Sequence, residues 1–154
     1  MTYTVSFADL QAQDVAVVHG HVDADHLPEF LGGAYEEVAG AVAAQGLSVA
    51  GAPFGRYRPD ETGFEVAAGF PVSAAVRPEG RVVPDRLPEG RVAHTVHVGS
   101  YDAVAAAYEA AEKYVVDNGF EPAGPPWELY LDEPDVAEPR TEVFLPCREA
   151  VAQD

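Results

Sequence analysis

Basic side chains are scarce in this 154-residue chain: nine Lys and Arg stand against 26 Asp and Glu, a formal net charge of −17. A surface so acidic repels a phosphate backbone over most of its area, so direct nucleic-acid binding is not expected. Cysteine is nearly absent too. The single Cys147 can form neither an internal disulfide nor a thiolate metal cage, no His-rich tract surrounds it, and it is expected to fill core or rim. No apolar run approaches the roughly 20 residues that a membrane-spanning helix needs. Residues Met1 to Thr4 lead into a strand-like segment without the basic start and apolar stretch of a signal peptide, so a cytoplasmic location is expected. A Gly-x-Ser-x-Gly elbow and a Gly-rich phosphate loop are missing, Ser48, Ser73 and Ser100 stand in no nucleophile motif, and no cofactor is implied.

What is present is 47% hydrophobic and 23% charged residues, enough to build one domain over residues 1–154 with its own core. The acidity favours cationic ligands, or else reflects solubility or a high-salt habitat. Lys113 alone beside eight arginines, with abundant Ala, Val and Gly, is the residue usage of a GC-rich bacterial genome.

Val15 to Val18 is a β-branched run inside a first strand expected between Val5 and Val22. From Asp25 to Gln45 the apolar residues Leu27, Phe30, Leu31, Ala34, Tyr35, Val38, Ala41 and Val42 recur at three and four, which predicts an amphipathic helix with an Asp cap, Pro28 in its first turn and Gly46 at its end. Strands over residues 50–58 and 63–75 follow around a Pro-Asp-Glu-Thr-Gly turn. The Pro- and charge-rich stretch 77–90 reads as a connection or an irregular strand. The order then restarts, with a strand over 92–98, a helix over 101–116, and strands over 127–132 and 142–146.

A fixed offset of 73 residues pairs Ala34 with Ala107, Tyr35 with Tyr108, Glu36 with Glu109, Val42 with Val115, Gly46 with Gly119, Gly51 with Gly124, Pro53 with Pro126 and Tyr57 with Tyr130. Such ungapped identities within the 24 residues from Ala34 to Tyr57 exceed chance several-fold and indicate an internal duplication. The expected fold is α+β: two βαββ units, about 5–75 and 92–146, related by a pseudo-twofold axis, with two helices on a mainly antiparallel sheet. Clefts form where halves meet.

Strand alternation sends Arg56 and Arg58 to solvent and Gly55 and Tyr57 inward. The offset carries that assignment to Glu128 and Tyr130. An inward carboxylate is costly unless paired, and a cationic ligand is one such partner; the other readings are an internal Arg partner or a wet strand end. Tyr57 and Tyr130 on the same face, Tyr35 and Tyr108 on the two helices, Tyr101 at the start of the second helix, and Trp127 beside the carboxylate complete a candidate ligand-binding set around Glu128 suited to lipophilic cations.

The segment Pro125-Pro126-Trp127-Glu128-Leu129-Tyr130-Leu131-Asp132-Glu133-Pro134, the preceding Val96-His97-Val98-Gly99-Ser100-Tyr101, and the closing Thr141-Glu142-Val143-Phe144-Leu145-Pro146 resemble the GyrI-like small-molecule-binding domain, also the effector-binding module of AraC- and MerR-type multidrug regulators. The resemblance implies a duplicated βαββ fold in which a buried glutamate, at the position of Glu128, binds cationic drugs among aromatic side chains. A helix-turn-helix has no counterpart before the first strand, so the resemblance points to a stand-alone binder. Some stand-alone relatives hydrolyse strained electrophiles, which makes a hydrolase with Glu128 as general base and Tyr130 as hydroxyl partner the runner-up. A protein-interaction role such as gyrase protection is a third reading.

His19-Gly20-His21-Val22-Asp23-Ala24-Asp25-His26 has the residue types of a zinc motif but not its spacing. His19 and His21 share a strand face and could take a stray ion, but no native metal site is expected. His94 and His97, three apart on a strand, face opposite sides.

Overall fold

The computed structural model describes residues 3–100, 103–132 and 136–150. Nine strands and two α-helices are found among them: β1 (Ser6–Leu10), β2 (Gln13–Val22), α1 (Leu27–Ala44), β3 (Phe54–Asp60), β4 (Gly63–Pro71), β5 (Val82–Leu87), β6 (Gly90–Val98), α2 (Ala105–Asp117), β7 (Phe120–Pro122), β8 (Trp127–Tyr130) and β9 (Arg140–Glu149). This is an α+β fold with antiparallel pairing. The chain divides into two compact units, Ala12–Pro88 and Met1–Gln11 with Glu89–Asp154.

In the unit Ala12–Pro88 the strand order is β3-β4-β2-β5. Ala16 and Val18 of β2 and Val66 and Ala68 of β4 face α1, whose buried side is Ala34, Val38, Ala41 and Val42. That spacing of three and four is the sequence periodicity turned into a packing face. Each fully buried valine there contributes on the order of 1.5–2 kcal/mol of transfer free energy. A 3₁₀ turn, Ala24–His26, precedes α1, and its cap is Asp23, which accepts from the backbone N–H of His26 at 3.0 Å. The cap is thus Asp23 rather than Asp25, because the short turn shifts the start of regular helix to Leu27.

In the other unit the order is β1-β6-β9-β8, with β7 also paired to β9. Here α2 packs Ala111 and Val115 on Ala93, Leu145 and Cys147, with Phe7 and Phe120 closing the side. The buried helix positions Ala107, Ala111 and Val115 stand 73 residues after Ala34, Val38 and Val42. Both helices end before a glycine in the left-handed region, Gly46 at φ 69° and Gly119 at φ 80°.

The first strand and β7 differ from the sequence expectation, and of the two readings of residues 77–90 the strand is found. The first strand is two, broken at Gln11-Ala12, and β1 belongs with β6 rather than with β2. No Pro or Gly marks that break. Residues 77–90 contain β5, which pairs only with β2 and carries Pro84 opposite Ala16. Proline is tolerated on an edge strand because its missing N–H is not needed there. The short β7 carried no periodic signal.

Candidate functional site

The register across three strands places the candidate residues. Glu128 of β8 pairs with Val143 of β9, which pairs with Thr95 of β6; Tyr130 pairs with Thr141, which pairs with His97. Directly opposed residues share a face. Ala93 and Leu145, paired in the same ladder, lie in the core under α2, so Glu128, Tyr130, Thr141 and His97 lie on the α2 side of the sheet.

Glu128 is 8% exposed. Its Oε2 accepts from the Tyr108 hydroxyl, delivered by the first turn of α2, and its Oε1 accepts from the Tyr130 hydroxyl at 3.1 Å. Burial pushes the Glu128 carboxyl above the ordinary carboxylate range, and the two phenol donors and nearby His97 pull the other way without reversing it. Among the described residues no Lys or Arg forms an ion pair with Glu128. A carboxyl so placed can meet a cation brought by a ligand, or take up a proton in acid–base chemistry.

His97 is 2% exposed and was not singled out by sequence. Its Nε2 is 2.8 Å from the Ser100 carbonyl oxygen, which can only accept, so Nε2 carries a hydrogen; Nδ1 is 2.9 Å from the Tyr3 hydroxyl, accepting from it in the neutral ring and donating to it in the protonated one. The imidazole thereby ties the chain before α2 to the segment before β1. Thr141, fully buried between Tyr130 and His97, has a hydroxyl oxygen without a hydrogen-bond partner. Both residues come into the site through pairings distant in sequence, and the odd spacing of His94 and His97 was the one local hint that they take different faces.

Trp127 lies on the other face from its neighbour Glu128. It is 2% exposed and stacks on Phe144 at 5.5 Å and 16°, and Phe144 in turn meets His94. Tyr101 falls outside the described residues.

The strand β3, which carries the residues 73 positions earlier in sequence, has no carboxylate at position 55. Gly55 is buried, and a Cβ built there would meet Tyr57 Cζ at 2.6 Å. The space over Gly55 is therefore filled by Tyr57, which also packs edge-on against Phe64. Tyr35 donates its hydroxyl to the Phe54 carbonyl at 3.0 Å and packs edge-on against Phe70. The structure thus brings Tyr108 and Tyr130 to Glu128, and in their own unit Tyr35 and Tyr57 pack in the core under α1. Arg58 is exposed as expected, but Arg56 is half-buried with its Nε unpartnered. No described helix is long and apolar enough to cross a membrane.

Comparison with known proteins follows the same lines. Among curated proteins no relative matches significantly. Of solved structures, the EcmrR C-terminal domain superposes with a TM-score of 0.83 at 22% identity, covering 97% of this chain and all of that one. Against EcmrR in its DNA complex the TM-score is 0.80 at 23% identity, and the chain spans 58% of that regulator's length. A hydrolase from Listeria innocua gives 0.69 at 14% identity, covering 94% of this chain and 91% of that one. SAV2435 bound to tetraphenylphosphonium gives 0.59 at 14%, covering 96% and 94%. These likenesses are of fold. The family model of the GyrI-like small molecule binding domain matches residues 3–148, and with nearly its whole length inside that match, the chain belongs to the GyrI-like family.

Proposed function

We propose that this domain captures small cationic, amphipathic molecules, with Glu128 as the anionic anchor and the rings of Tyr108 and Tyr130 as the surrounding walls. The observation that carries the reading is a buried carboxyl group held by two hydroxyls and by no Lys or Arg among the described residues. Two phenols hold the carboxylate in one orientation but supply no counter-charge, and a ligand cation would supply it while using the ring faces. Tyr101, four residues before Ala105 in sequence, is proposed as a further aromatic contact. The tetraphenylphosphonium bound by SAV2435, a neighbour in fold, supports this ligand class.

Titration calorimetry with tetraphenylphosphonium tests it. Glu128→Gln is expected to weaken binding by at least about tenfold, the equivalent of roughly 1.4 kcal/mol. Equal affinity in both proteins would refute the anchor.

A second reading has its own observation. A carboxyl of raised proton affinity hydrogen-bonded to two phenols is a proton-transfer pair, and the fold is shared with a Listeria innocua hydrolase. In that reading Glu128 acts as general base on water and Tyr108 or Tyr130 positions an electrophile. Product formation from epoxides or cyclopropane compounds, lost in Glu128→Gln, would establish it over simple capture.

A further inference from the structure

We propose that His21, Asp60 and Glu65 form a surface site for one divalent transition-metal ion of the zinc class. The three residues stand on three adjacent strands of the unit Ala12–Pro88. His21 of β2 is directly opposite Glu65 of β4, and Glu65 is opposite Arg58 of β3. Two residues beyond Arg58 on the same strand, Asp60 points to the same side. One donor atom from each of the three lies within 4.8 Å of the others.

The geometry of the pair at its centre fits ligation. His21 Nε2 is 2.9 Å from Asp60 Oδ2. Two donors each about 2.1 Å from a tetrahedral zinc ion are about 3.4 Å apart, so an ion could replace the shared hydrogen once the pair opens by about 0.5 Å. Asp60 is held by the following turn. Its other oxygen, Oδ1, accepts from the Thr62 backbone N–H at 2.9 Å and from the Thr62 hydroxyl at 3.1 Å, and that hydroxyl oxygen also lies 3.1 Å from His21 Nε2, the position that an ion would take over. Such second contacts orient a ligand and strengthen a metal site.

Two carboxylates and one imidazole make a donor set of mixed oxygen and nitrogen, which suits zinc and its neighbours better than calcium or magnesium, both of which prefer oxygen alone. The exposed setting leaves the remaining coordination positions to water. Arg58 is the cation on this face that an ion would have to displace from Glu65's field; no ion pair between the two is formed at 4.0 Å or less among the described residues. His19, also on this face, turns instead toward Asp85 at 4.0 Å.

Calorimetry of the full chain with Zn²⁺, and visible absorption with Co²⁺, test the proposal. One saturable site is expected. His21→Ala and Glu65→Gln should each weaken Zn²⁺ binding by about tenfold or more, while His19→Ala, on the same face, changes it less than about twofold. All three positions are exposed, and far-ultraviolet circular dichroism checks that each variant is folded. Non-saturating uptake across the acidic surface, or unchanged affinity in both His21→Ala and Glu65→Gln, would overturn it.

Discussion

Replacing Glu128 by Gln is expected to stabilise the fold at neutral pH while it abolishes the charge on which the proposed capture of cations depends. The carboxyl is almost fully desolvated, and its raised proton affinity says that burial outweighs the two phenol hydrogen bonds. Glutamine has nearly the same shape, keeps one acceptor for a phenol and offers its amide to the other, whose hydroxyl can turn to accept. Most of the polar contact survives and the ionic desolvation is removed, for a gain of about 1–2 kcal/mol. The sign with pH follows from linkage. A folded-state affinity raised above the unfolded value means that the native protein holds the proton more tightly, so wild-type stability from this group is complete below the unfolded carboxyl range and is lost as pH rises through the folded value. The advantage of Glu128→Gln should therefore be absent at about pH 4 or below, grow with pH, and then level off. Exposed carboxylates held low, among them Asp60 and Asp132, make stability change in the opposite direction, but they are common to both proteins and cancel in the difference. Urea unfolding at a series of pH values reads that difference directly. A variant less stable than wild type at pH 7, or a gap that does not change with pH, would refute the reasoning.

Tyr108→Phe leaves Oε2 of Glu128 without its donor and should cost about 1.5–3 kcal/mol where the carboxylate is ionised, with the carboxyl titrating higher than in wild type by NMR. Thr141→Val removes a buried hydroxyl that has no partner and should be neutral or stabilising by up to about 1 kcal/mol in thermal or urea unfolding; a loss above about 1.5 kcal/mol would mean that the hydroxyl is satisfied by bound water. Gly55→Ala pushes a methyl into the Tyr57 ring and should cost about 1–3 kcal/mol in the same assay, with a neutral result contradicting the packing described.

How far these residues were legible from sequence depends on whether their partners are near in the chain. The face of α1 could be read because its neighbours are one helical turn away, and Gly46 and Gly119 end their helices for a reason local to the backbone. Glu128 was legible as an inward residue because alternation is also local. Trp127, one residue earlier, must then point the other way, yet an aromatic beside a carboxylate invites placement in the same cavity. Tyr3, His97 and Thr141 could not be found this way: Tyr3 is joined to His97 across 94 residues, and Thr141 reaches the row through the pairing of β9 with β6 and β8. The break between β1 and β2 was hidden for a related reason, since what separates them is a change of pairing partner rather than a change of composition.

The comparison of the two strands that carry Gly55 and Glu128 shows why matched aromatic residues do not by themselves mark a site. Tyr57 and Tyr130 hold corresponding places, each two residues after the position in question, and Tyr35 and Tyr108 hold corresponding places on their helices. Where the position is Gly55, one tyrosine covers it and the other donates its hydroxyl to the Phe54 carbonyl. Where it is Glu128, the same two residue types turn their hydroxyls onto a carboxylate. A single side chain, present or absent under the two phenols, changes their partner from backbone and neighbour to an ionisable group. The chemistry of the site is therefore set by residue 128, and the tyrosines take their role from it.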